Sequence, residues 1–103
     1  MSKSIMHNKQ DRTCYLCMLL NCDYDTRTGL QEHHAFLGNP NRRHAEHYGL
    51  KVYLCIQHHT AGPEAVHNNP EHKKLLQRKA QEIFEAKYSH EKWMEVFGEN
   101  FII

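Results

Sequence analysis

The chain has 103 residues, a formal net charge of +1 and 40% hydrophobic residues. That length supports one small domain, with a core thin enough for a bound metal to matter. Near-neutral charge excludes a chain that is polycationic over its whole surface, and the longest apolar runs fall far short of the roughly 20 residues that span a membrane.

In chain order, residues 1–12 read as a polar leader with Ile5 and Met6 as apolar side chains, lacking the apolar run of a secretory signal. Residues 13–103 read as a single domain. Thr13 to Cys22 opens as a cysteine knuckle and runs on as a short apolar stretch. Asp23 to Thr28 is polar and turn-prone, and Gly29 closes it. Leu30 to Phe36 is expected to be a strand carrying His33-His34, broken by Gly38-Asn39-Pro40-Asn41. Arg42 to Tyr48 fits a brief helix with Asn41 as N-cap and Gly49 just beyond its end. Leu50 to Cys55 is the clearest strand, because Leu50, Val52 and Leu54 alternate with Lys51 and Tyr53. A loop then carries His58, His59, Gly62-Pro63 and His67. Asn69-Pro70 signals the start of a long helix to about Tyr88, with Leu76, Ala80, Ile83 and Phe84 on one face. Ser89 starts a shorter helix with Trp93, Met94 and Phe97 on one side and Gly98 as its stop. The apolar tail Trp93, Met94, Phe97, Phe101, Ile102 and Ile103 is expected to pack as core, with a dimer surface as the alternative. The fold class is therefore α+β.

Four Cys and ten His carry the chemistry. Without a secretory signal, a cytoplasmic setting is expected and the cysteines read as metal ligands rather than disulfides. Cys14-x2-Cys17 and Cys55-x2-His58 are two half-sites with the spacing of a structural zinc centre. Cys22 is a spare thiol that either packs as an apolar group or replaces His58. His33 and His34 occupy adjacent strand positions, so they point to opposite faces and suit different tasks, metal ligation and proton transfer. His59 and His67 are candidates for a second, open metal site. His44, His47, His72 and His90 are expected on solvent-facing helix surfaces, and His7 has no visible role.

Taken together, Cys14-x2-Cys17, His33-His34, Asn39 or Asn41, and Leu54-Cys55-x2-His58-His59 resemble the HNH, or ββα-metal, nuclease family over residues 14–68. The resemblance implies a small ββα-metal core with a zinc knuckle, followed by the helical part 70–98. It implies His34 as the general base that activates water, His33 as a metal ligand and His59 as the closing ligand. Gly62-Pro63 departs from the family pattern, which makes His67, just before the long helix, a natural third ligand. Asn41 fits the family's middle Asn better than Asn39, which precedes Pro40. The cofactors implied are a structural Zn²⁺ and a catalytic divalent cation (Mg²⁺, Mn²⁺, Ni²⁺ or Zn²⁺). The stretch Arg42 to Cys55 and the tail Phe84 to Ile103 also look similar to small prophage-borne members. Those include recombination-enhancement nucleases, so DNA and a recombinase filament or other protein are the partners implied.

Arg42, Arg43 and Lys51 are the cations expected to touch nucleic-acid phosphates, and no segment resembles a base-reading element. The competing expectation is a non-catalytic zinc module that binds DNA or a host protein. A nucleobase deaminase is disfavoured, because neither Cys half-site follows a Pro.

Overall fold

The computed structural model describes residues 3–38 and 40–102. Asn39 and Ile103, both named above, lie outside the described residues. The architecture is α+β, a two-stranded antiparallel sheet surrounded by helices. In chain order the elements are α1 (Tyr15–Asn21), β1 (Gln31–His34), α2 (Asn41–Tyr48), β2 (Lys51–Leu54), α3 (Ile56–His59), α4 (Pro70–Lys87) and α5 (His90–Phe97). No helix among the described residues is long and apolar enough to cross a membrane.

The sheet pairs Gln31 with Leu54, Glu32 with Tyr53, His33 with Val52 and His34 with Lys51. Directly opposed residues share a face. One face therefore carries His33 and Val52, and the other carries Glu32, His34, Lys51 and Tyr53. Val52 and Leu54 pack with Leu16, Val66 and Leu76 in one buried cluster. Phe36, Leu50, Ala80, Phe84, Trp93 and Phe97 form a second. Helix α4 joins them, giving Leu76 to the first and Ala80 and Phe84 to the second. Asn69 caps it by accepting from the amides of Glu71 and His72. Ser89 caps α5 through the amide of Lys92.

The structure sharpens some expectations and corrects others. The leader is docked: the Ile5 amide donates to the Gly49 carbonyl, and the Ser4 hydroxyl donates to the Lys51 carbonyl. Gly49 ends α2 at φ +73°, and a side chain there would strike the Lys3 carbonyl, so only glycine admits the leader. His7 is buried, accepting from the Tyr53 amide through Nδ1 and bonding Thr13 through Nε2. The apolar stretch after Cys14 is helical, and β2 is buried along its whole length, because the leader and Glu46 cover its polar face. The N-cap of α2 is Pro40 rather than Asn41, since the His44 amide already bonds to the Pro40 carbonyl. Met94 lies largely outside the core that buries Trp93 and Phe97.

Candidate metal centres

Helix α1, the end of β2 and α3 bring four donors together. Nδ1 of His58 lies 3.6 Å from Sγ of Cys14, 3.3 Å from Sγ of Cys17 and 3.4 Å from Sγ of Cys55. The Cys17 and Cys55 sulfurs are 4.0 Å apart. One imidazole N–H cannot serve three sulfurs at once. A tetrahedral zinc site has S···S edges of about 3.8 Å and S···N edges of about 3.5 Å, from bond lengths of about 2.3 and 2.0 Å. The observed spacing fits that donor set, so Cys14, Cys17, Cys55 and His58 can bind a metal ion such as zinc. Cys14, Cys17 and His58 are buried, which closes the site to substrate. Cys22 stands outside this group, exposed at the left-handed C-cap of α1.

Without an ion the Cys17 thiol holds its proton. Burial first, then the hydrogen bond and charge of Cys14 and the charge of Cys55, push the Cys17 thiol up to about 12. Arg27 opposes them: its guanidinium lies 3.5 Å from the Cys17 sulfur and 2.5 Å from Asp23. Sequence reasoning missed Arg27, which lies in a polar turn with no periodic signal.

A second group forms where β1, α3 and the loop before α4 meet. His33, His59 and His67 have ring centroids 4.8–5.3 Å apart. Nε2 of His59 faces Nε2 of His67 at 3.2 Å. That matches the edge of about 3.3 Å for two imidazoles bound at about 2.0 Å in a tetrahedral site. Gln31 Oε1 accepts from His59 Nδ1 at 2.6 Å, which leaves the Nε2 lone pair directed at the group. Gln31 was also missed, although it sits two residues before His33 on the same strand face. His33 is buried, His59 half-buried and His67 exposed, so the group opens to solvent on one side. Burial above all, then the charges of His59, His67, His34 and Lys73, lower the His33 pKa to about 3. His33 is therefore a neutral donor at any physiological pH. These three residues also have the donor chemistry to hold a divalent ion.

His34 goes elsewhere, as strand alternation requires. Its Nε2 lies 3.3 Å from Glu46 Oε1 and 3.9 Å from Glu32 Oε1. The second oxygens of both carboxylates bind the Lys51 ammonium, at 3.0 Å for Glu46 and 3.5 Å for Glu32. Burial alone would lower the Lys51 pKa, but these two carboxylates outweigh it and raise it. Lys51 was expected at nucleic acid. It is instead 2% exposed, with its charge neutralised internally. Glu32, His34 and Glu46 are close enough for a metal, but the Lys51 ammonium already occupies their carboxylates. A cleft of about 730 Å³ opens on this face between the leader and Glu32, Lys51 and Tyr53, and its walls include none of the three imidazoles.

Arg42 and Arg43 are exposed on the first turn of α2. Asn41 opens the same helix, and among the described residues no hydrogen bond ties it to the three imidazoles. His47 and His90 are exposed on helix surfaces as expected, whereas His44 is half-buried with its ring edge-on to Phe97. His72 is half-buried, its Nδ1 donating to the Glu64 carbonyl.

Comparison with protein-family models, curated proteins and solved structures returned no match.

Proposed function

We propose that the chain is a divalent-metal-dependent endonuclease of the HNH type, hydrolysing DNA phosphodiesters with little sequence preference. The observation that carries this reading is the pairing of a closed Cys₃His group with an open group of three imidazoles. Closed four-ligand sites serve structure, whereas three protein ligands with a free position serve reactions. On this reading His33, His59 and His67 hold the working ion, and Cys14, Cys17, Cys55 and His58 hold a structural zinc. A divalent ion in the open group supplies Lewis acidity to a phosphodiester and stabilises charge on its leaving oxygen.

The chain's own residues do the rest. Gln31 fixes the His59 tautomer. Glu46, accepting from His34 Nε2, leaves His34 Nδ1 as the basic nitrogen, the role the family resemblance gives this residue. Because His34 and His33 face opposite sides of β1, a scissile phosphate has to straddle the strand end to meet both.

A plasmid-nicking assay across Mg²⁺, Mn²⁺, Ni²⁺ and Zn²⁺ tests the reading. The metal-replete wild type should nick. His67→Ala, which alters an exposed ligand, should abolish nicking, and His34→Ala should slow it about 10²–10⁴-fold. A wild type inert with every ion, or a fully active His67→Ala, would overturn the reading in favour of a non-catalytic zinc module.

A further inference from the structure

The three imidazoles form a group without a carboxylate. Among the described residues, their hydrogen-bond and ring partners are one another and the neutral Gln31 side chain. Glu32 and Glu46, which interrupt this pattern in sequence, are held on the opposite face by Lys51 and His34. Three neutral imidazoles leave the full charge of a divalent ion uncompensated, and such a site draws an anion.

A cation stands on the same side. His33 shares its sheet face with Val52, and Leu76 of α4 belongs to the same buried cluster as Val52 and Leu54. Lys73 lies three residues before Leu76, so it extends the inward stripe of α4 by one turn beyond the apolar cluster. The first turn of α4 is pinned to the loop that carries His67. Asn69 donates to the Pro63 carbonyl, and His72 bonds to the Glu64 carbonyl. Lys73 is half-buried, and among the described residues no carboxylate pairs with its ammonium.

We propose that Lys73 is the anion-binding residue of the three-imidazole centre, its ammonium donating to a non-bridging oxygen of the phosphodiester seated there. This assignment rests on the nuclease reading above and gives Lys73 the task that sequence reasoning gave Lys51. A contact to phosphate oxygen positions a backbone without reading bases, in keeping with weak sequence preference.

The test is calorimetric titration of inorganic phosphate into the zinc-loaded full chain. The variants are Lys73→Gln, Lys73→Arg and, as a neighbour control, Lys74→Gln, with metal content and circular dichroism measured on each. Lys73→Gln should weaken phosphate binding on the order of tenfold, as expected for one charge-assisted hydrogen bond. Lys73→Arg should restore most of it, and Lys74→Gln should leave it within about twofold. Unchanged phosphate affinity in Lys73→Gln, or an equal loss in Lys74→Gln, overturns the assignment. Plasmid nicking separates the two readings. Phosphate binding that depends on Lys73 in a protein that nicks nothing upholds Lys73 and defeats the nuclease. Nicking by Lys73→Gln with unchanged KM upholds the nuclease and defeats Lys73.

Discussion

Cys55→Ser removes one of the four donors of the closed group, and the consequence follows from what that group holds. Cys55 is the N-cap of α3, a helix of four residues that carries both His58 and His59. A helix that short has no stability of its own in water. With one thiolate gone, only Cys14, Cys17 and His58 remain to hold the ion, one donor short of the closed tetrahedral set. The site then loses its metal. Structural zinc contributes on the order of 10 kcal/mol to small folding peptides, while a whole domain retains only about 5–15 kcal/mol. Even half of that contribution is about 5 kcal/mol. At about 4–8 °C per kcal/mol for a domain of this size, the melting midpoint falls by about 20 °C or more. Circular dichroism melts paired with zinc counts on the wild type, Cys55→Ser and Cys22→Ser measure this. Cys22 is exposed and outside the donor group, so its replacement should change stability by less than about 0.5 kcal/mol. A Cys55→Ser protein that keeps its zinc and melts with the wild type would refute the ligand set, as would loss of zinc from Cys22→Ser.

Three further outcomes are expected. Glu46→Leu leaves the buried Lys51 ammonium with Glu32 alone and should cost about 3 kcal/mol, whereas Lys51→Met should cost less, both read by urea denaturation. His7 accepts the Tyr53 amide and must be neutral. Burial lowers its pKa against the weaker opposing charge of Asp11, so the unfolded chain takes up this proton first as pH falls below about 6.5. Its contribution is absent above that pH and becomes a growing penalty below it, with a slope of at most about 1.4 kcal/mol per pH unit. His7→Gln, which keeps an acceptor, should flatten the urea stability profile between pH 7.5 and 5; an unchanged slope would count against this role. Trp93→Ala should cost about 3–5 kcal/mol in the same assay, because the indole is fully buried, stacked on Phe97 at 4.1 Å and bonded to the Glu99 carbonyl.

Elements whose signals are local were legible in the sequence. The Asn69-Pro70 start of α4, the Ser89 cap of α5 and the β2 alternation each depend on residues within one or two turns. The Cys-x2-Cys and Cys-x2-His spacings were legible for the same reason, and strand alternation alone separated His33 from His34. What escaped depends on contacts distant in sequence. Lys51 looked like a solvent-facing strand cation, and only the approach of α2 and the leader buries it against Glu46 and Glu32. His7 gained its task from Tyr53, 46 positions away. Arg27 and Gln31 bond to Cys17 and His59, candidate ligands brought to them by the fold, and neither belongs to a spacing motif. Gly62-Pro63 interrupts a helix continuing from His59, and that local signal made His67 a candidate ligand beside His59. The structure ends α3 at His59 and brings His67 back onto it.

On the proposed reading the chain holds two separate metal centres, one closed and one open. Counting ions per chain by elemental analysis, in the wild type and in His67→Ala, tests it most directly. Two bound divalent ions in the wild type, and one in a His67→Ala protein that still folds and keeps its zinc, is the predicted result. A single ion in the wild type, or two retained by His67→Ala, would contradict it.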